Sequence, residues 1–117
     1  METQVPEVRL ETLSGSADGV TVLKVIGPLN IRNFFEFQDR TRNDNSRVLI
    51  IDLAAVPYID SAALGSLLGV HVSCGKRNRK YALINVPDRL LSMFTVSGVR
   101  DVLVTFPSLA EAETALL

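Results

Sequence analysis

The 117-residue sequence holds one cysteine, one histidine and no tryptophan, and each scarcity removes a class of chemistry. A lone Cys74 cannot close an intrachain disulfide, and it fits a reducing compartment. One cysteine with one histidine does not make a zinc ligand set. No apolar run approaches the roughly 18–20 residues that a membrane-crossing helix needs. The amino-terminal stretch carries Glu2 and Glu7 where a secretory leader has its apolar segment. Net charge is −1, so no global field draws the molecule to nucleic acid or anionic lipid. Neither Gly-x-x-x-x-Gly-Lys-Ser/Thr nor Gly-x-Gly-x-x-Gly occurs, which removes the common phosphate-cradling loops. A free-standing cytoplasmic domain is the expectation.

What is present is the material of one globular domain. The hydrophobic fraction is 47% and the charged fraction 21%, and a chain this long buries roughly two-thirds of its unfolded surface without staples. Val8 to Leu13 alternates apolar and polar residues, and Val20 to Ile26 follows a turn-rich loop, so the two read as a hairpin. Asn30 reads as a cap for a first helix whose Ile31, Phe34, Phe35 and Phe37 form a broad apolar face. Val48 to Leu53 is rich in β-branched residues and reads as a buried strand. Leu64, Leu67, Leu68, His71, Val72 and Gly75 fall on one face of a second helix. Tyr81 to Val86 is a fourth strand. Pro87 suits the first turn of a third helix with Leu90, Leu91 and Phe94 inward, and Gly98 suits its end. Val102 to Phe106 reads as the last strand, and Ser108 with Glu111 as a capping box for a terminal helix. Strands separated by helices call for an α/β fold, here a mixed, mostly parallel sheet of about five strands with about four helices.

Chemistry concentrates at Asp60-Ser61-Ala62-Ala63-Leu64-Gly65, where the chain passes from a buried strand into the second helix. Ser61 falls at or just inside a helix start, where free N–H groups and the helix dipole favour an anion. The connection lies at the carboxyl end of a strand, where ligands of such sheets engage. Asp60 and Ser61 are also both good N-caps, and either can serve only that purpose. A Ser–His hydrolase is excluded by distance. His71 is ten residues further along the same helix, about 15 Å on its axis, and a nucleophile must meet its base within roughly 3 Å. No Gly-x-Ser-x-Gly elbow surrounds Ser61. His71 reads as a packed, hydrogen-bonded side chain. Lys76-Arg77-Asn78-Arg79-Lys80 is a basic turn that either meets an anionic partner or complements the helix C-terminus.

In order, Gly27 and Leu29, Asp52-Leu53, Asp60-Ser61, Leu64-Gly65, Gly75 and Gly98 resemble the landmarks of the STAS domain family, the anti-sigma factor antagonists and their relatives, over nearly the whole chain. The resemblance implies one STAS-like domain over residues 1–117, and a protein that is not an enzyme and carries no cofactor. It also implies a partner switch. The unmodified protein binds a kinase-type anti-sigma factor, that serine protein kinase phosphorylates Ser61, and a phosphatase is a further partner. The contact surface it implies is Asn30, Asp60, Ser61, Ala62, Ala63, Leu64 and Gly65, with neither nucleic acid nor direct membrane insertion. Ala62 and Ala63 stand where a hydroxyl and a glycine are frequent, and Asn30 where an acid or threonine is. The alternative within the family is a non-switching accessory subunit of a lipid-transport ABC system, or a signalling scaffold, in which Ser61 is a cap and contact residue.

Overall fold

Alternation along Val48–Ala55 (β3) sets the architecture. Leu49, Ile51 and Leu53 enter one apolar cluster, while Val48 and Ile50 enter another, as in a strand covered on both faces. The computed structural model describes residues 8–117, so the segment with Glu2 and Glu7 lies outside the described residues. The other strands are β1 (Arg9–Ser14), β2 (Val20–Ile26), β4 (Lys80–Ile84) and β5 (Thr105–Phe106). They form one sheet in the order β1-β2-β3-β4-β5. β1 runs antiparallel to β2, and every other neighbouring pair is parallel. The helices are α1 (Phe34–Asn43), α2 (Ser61–Lys76), α3 (Asp88–Val96) and α4 (Leu109–Leu116). Phe37, Leu67, Val70, Leu90 and Phe94 carry α1, α2 and α3 onto one face, and Ala112 carries α4 onto the other. This is the mixed sheet with four helices that the sequence leads one to expect.

Helix ends follow local chemistry. Gly98 adopts φ +76°, with its N–H on the Thr95 carbonyl and the Val99 N–H on the Phe94 carbonyl, a Schellman stop for α3. α2 ends the same way, but its left-handed residue is Asn78 (φ 57°). The Asn78 and Arg79 amides donate to Gly75 and Cys74. Asparagine tolerates that conformation better than other side chains do. Ser108 caps α4 by accepting from the Glu111 amide at 3.2 Å.

Several elements depart from the sequence reading. α1 starts at Phe34, four residues past Asn30, because Asn30 and Asn33 first close a turn. The Asn33 side chain accepts from the Asn30 amide at 2.9 Å, and the Asn30 side chain from the Arg32 amide at 2.9 Å. Ile31 therefore precedes the helix and is exposed. Phe35, about 100° round from Phe34, is exposed too, and of the three phenylalanines only Phe37 is fully buried. The buried face of α2 is centred on Ala63, Leu67, Val70 and Cys74, which leaves Val72 and Gly75 outside. Pro87 is the N-cap of α3 and not its first turn. β4 stops at Ile84, before Asn85 at φ 53°. β5 is two residues long because the Val102 and Leu103 amides both turn back onto the Val99 carbonyl. That turn buries Leu103 and exposes Val102.

Candidate partner-recognition site

The site is assembled by one carboxylate. Asp60 is the N-cap of α2, and its Oδ1 accepts from the Ala63 amide at 3.0 Å. Its Oδ2 accepts from the Ile31 amide at 2.8 Å. The same side chain thus caps α2 and ties that helix to the turn before α1, 29 residues earlier. The backbone repeats the join. The Gly27 amide donates to Ala55, the Leu29 amide to Tyr58 and the Asp60 amide to Leu29, and Leu29 bridges Ile59 in parallel. These contacts extend the β2–β3 pairing past the carboxyl ends of both strands. The β2-to-α1 and β3-to-α2 connections therefore form one surface at the carboxyl end of the sheet, as the sequence places it.

Because Asp60 does the capping, Ser61 is released from that task. It is the first residue of α2 and exposed. Backbone N–H groups of a helix's first turn lack intrahelical partners and carry the positive end of the dipole. Here the Ala63 amide is taken by the Asp60 side chain and the Leu64 amide by the Asp60 carbonyl. Ala62 is half-buried, Ala63 and Leu64 are buried, and Gly65 is exposed one turn beyond Ser61. Asn30 is half-buried in the adjoining turn. The structure brings Asn30 and the Asp60-to-Gly65 segment together, but Ala63 and Leu64 face the core and cannot meet a partner directly.

Three contributors escape a reading from sequence. Ile31, Phe35 and Tyr58 are 59%, 61% and 47% exposed; Ile31 and Tyr58 belong to the junction itself, and Phe35 follows in the adjoining helix. Ile31 is held by Asp60, Tyr58 precedes it by two residues, and Phe35 lies in the first turn of α1 with its ring 4.2 Å from that of Phe34. Large exposed apolar groups around a polar centre are the composition of an interface. Periodicity assigned Ile31 and Phe35 to the core, and only the late start of α1 could have shown otherwise.

The remaining chemistry is structural. His71 shares α2 with Ser61, and its Nδ1 lies 2.8 Å from the Tyr81 hydroxyl, edge-on to that ring. The hydroxyl also accepts from the Val104 amide at 3.0 Å, so the histidine is packed and hydrogen-bonded as expected. Burial pushes the Tyr81 phenol above its ordinary value, against the hydrogen bond from Val104. Two cations of the basic turn reach helix ends. Arg77 donates to the Arg42 carbonyl at the end of α1, and Lys80 to the Leu116 carbonyl at the end of α4. Arg79 pairs with Asp44 and donates to the Ser46 carbonyl. Among the described residues, no cluster of three or more His, Cys, Asp or Glu side chains could hold a metal, and no helix is long and apolar enough to cross a membrane.

Fold and site together define an α/β domain of mixed sheet that presents one exposed serine beside the capping aspartate of a helix. The family model for the STAS domain matches residues 15–112, and the chain belongs to that family. It is 38% identical over 56 residues to the anti-sigma-B factor antagonist of Listeria monocytogenes, a match covering 48% of this chain and 49% of that protein. The chain thus spans about half the length of this curated relative. The crystal structure of an anti-sigma factor antagonist from Mycobacterium paratuberculosis superposes with a TM-score of 0.78 at 23% identity, covering 92% of this chain and 94% of that one. That of a sulfate transporter family protein from Wolinella succinogenes superposes at 0.68 and 26% identity, covering 84% and 88%. The fold is common to these proteins.

Proposed function

We propose that this protein is an anti-sigma factor antagonist that works by partner switching in the cytoplasm. In its unmodified form it binds a kinase-type anti-sigma factor through the exposed rim of the Asp60–Ser61 junction. The partner transfers a phosphoryl group to the Ser61 hydroxyl, and a phosphatase restores the serine. The observation that carries this reading is the division of labour at the junction: Asp60 caps α2, and Ser61, relieved of capping, lies exposed. The domain is a substrate and ligand here, not an enzyme, since both oxygens of the neighbouring Asp60 accept backbone amides, His71 is tied to Tyr81, and the sequence has no phosphate loop. The likeness to the Listeria monocytogenes antagonist supports the same assignment.

The physics of release is local. Phosphorylation adds about −1.5 to −2 charges beside the Asp60 carboxylate. Within the domain the helix dipole offsets this, with roughly 0.3–1 kcal/mol in favour of an anion at that position. Against a partner the balance reverses, because the charge must be desolvated among Ile31, Phe35 and Tyr58. Intact mass of the protein from its native cell, before and after phosphatase, tests the assignment. A phosphatase-sensitive phosphoryl mass on the Ser61 peptide is the expected result. Unmodified Ser61 under every growth condition, with no kinase able to modify it in vitro, contradicts it.

A further inference from the structure

The cleft between α1 and the carboxyl half of α2 is distinct from the Ser61 junction. It has a volume of about 500 Å³, within the range of small-molecule sites. Its nearest α2 residue, Ser66, lies about 7.5 Å from Ser61 along the helix axis, and the others, from Gly69 onward, about 12 Å or more. Gly69 forms part of its wall, and a Cβ built there meets nothing within 4 Å. Val70 and half-exposed Val72 supply apolar surface beside it. Thr41 and Ser66, the two buried polar side chains among the described residues, both line this cleft. Each hydroxyl donates only to a carbonyl of its own helix, Gln38 at 3.0 Å and Ala62 at 3.3 Å, and each can rotate toward a ligand.

The rim carries Arg42, Lys76, Arg77 and Arg79, and no carboxylate lines the cleft. Complementing helix ends explains only part of this charge. Asp44 neutralises one cation through Arg79, and the C-termini of α1 and α2 together account for about one more. About two positive charges remain uncompensated, which matches one phosphomonoester. We propose that this cleft binds a small soluble organic phosphate with a compact apolar body. The body lies against Gly69, Val70 and Val72, and the phosphate meets Arg42, Lys76 and Arg77.

The test uses 1-naphthyl phosphate as probe, titrated into the full chain and followed by backbone amide resonances and calorimetry. Saturable shifts at Gly69, Ser73 and Lys76 are expected, with inorganic phosphate and 1-naphthol each binding at least about tenfold more weakly. Gly69→Leu projects into the cleft from a position where a Cβ meets nothing within 4 Å, and exchanges a poor helix former for a good one. It is expected to fold and to lose at least about tenfold in affinity. Lys76→Gln is expected to lose about three- to tenfold and to flatten the salt dependence. Three results overturn the proposal. One is no saturable shift up to about 10 mM probe. Another is Gly69→Leu binding as tightly as wild type. The third is capture by phosphatidic acid vesicles without binding of the free probe, which would mark a lipid-surface patch. None of these readouts depends on Ser61 or on any protein partner.

Discussion

Asp60→Ala is the perturbation that most directly examines how the junction is built. It removes the side-chain cap of α2, worth about 1 kcal/mol within a range of about 0.5–2. It also removes the acceptor for the Ile31 amide, and water can replace part of that bond at this half-exposed position, which holds the loss to about 0.5–1 kcal/mol. Together these predict roughly 1–3 kcal/mol of destabilisation, or a fall in melting temperature of roughly 4–12 °C for a domain of this length. Asp60→Asn separates the two contributions. Its oxygen still caps Ala63, but its amide nitrogen meets the Ile31 N–H donor to donor, so it is expected to fall between wild type and Asp60→Ala. Urea unfolding followed by far-UV circular dichroism measures all three proteins, with an unchanged m-value expected because the core is untouched. Hydrogen exchange at Ile31 gives the local readout, accelerating in both variants. An Asp60→Ala protein as stable as wild type refutes the reasoning, as does an Asp60→Asn protein no more stable than Asp60→Ala.

Phe37→Ala is expected to cost about 3–5 kcal/mol, while Phe35→Ser changes stability by no more than about 0.5 kcal/mol and weakens partner binding by at least about 2 kcal/mol. Denaturant melts and a binding titration on the two variants check this contrast directly. Gly98→Val places a β-branched residue at φ +76° and should cost about 1–2 kcal/mol, read as a lower urea midpoint. For Tyr81, a phenol raised above 10.0 on folding contributes stability that is present below the unfolded value and lost as pH rises through the folded one. Melts between about pH 9 and 12 should therefore show an alkaline loss that is smaller in Tyr81→Phe, where the buried Cys74 thiol, also raised by burial, still contributes. That variant should itself lose about 1–2 kcal/mol at neutral pH through the unpaired Val104 amide.

Most of the fold is legible because its signals are local. β3 announces itself by alternation of β-branched residues, α3 by Gly98, and α4 by Ser108. The junction was legible as a place but not as a mechanism. Asp60 and Ser61 are both cap-forming residues, and their division of labour rests on the Asp60–Ile31 hydrogen bond, which spans 29 residues. The start of α1 was hidden by two asparagines, Asn30 and Asn33, each able to cap a helix or close a turn. Ile31 and Phe35 then read as core by type, whereas their burial depends on where the first helical turn begins. Val102 was drawn into a strand by its β-branched character, yet a turn at Val99 that aims Leu103 inward outweighs that preference. The end of α2 carried no glycine signal, because its left-handed residue is Asn78. These departures are tertiary decisions laid over ambiguous local preferences.

The central claim is that charge at Ser61 decides whether the partner stays bound. Calorimetric titration of the kinase-type anti-sigma factor from the same cell into wild type, Ser61→Ala and Ser61→Asp tests it, with melting curves on the same samples. Ser61→Ala should bind as tightly as wild type and resist phosphorylation. Ser61→Asp should bind at least about tenfold more weakly, the effect of roughly 1.4 kcal/mol, while melting within about 2 °C of wild type because the helix start accommodates an anion. Equal affinity for all three proteins contradicts the claim and leaves Ser61 a contact residue without a switch.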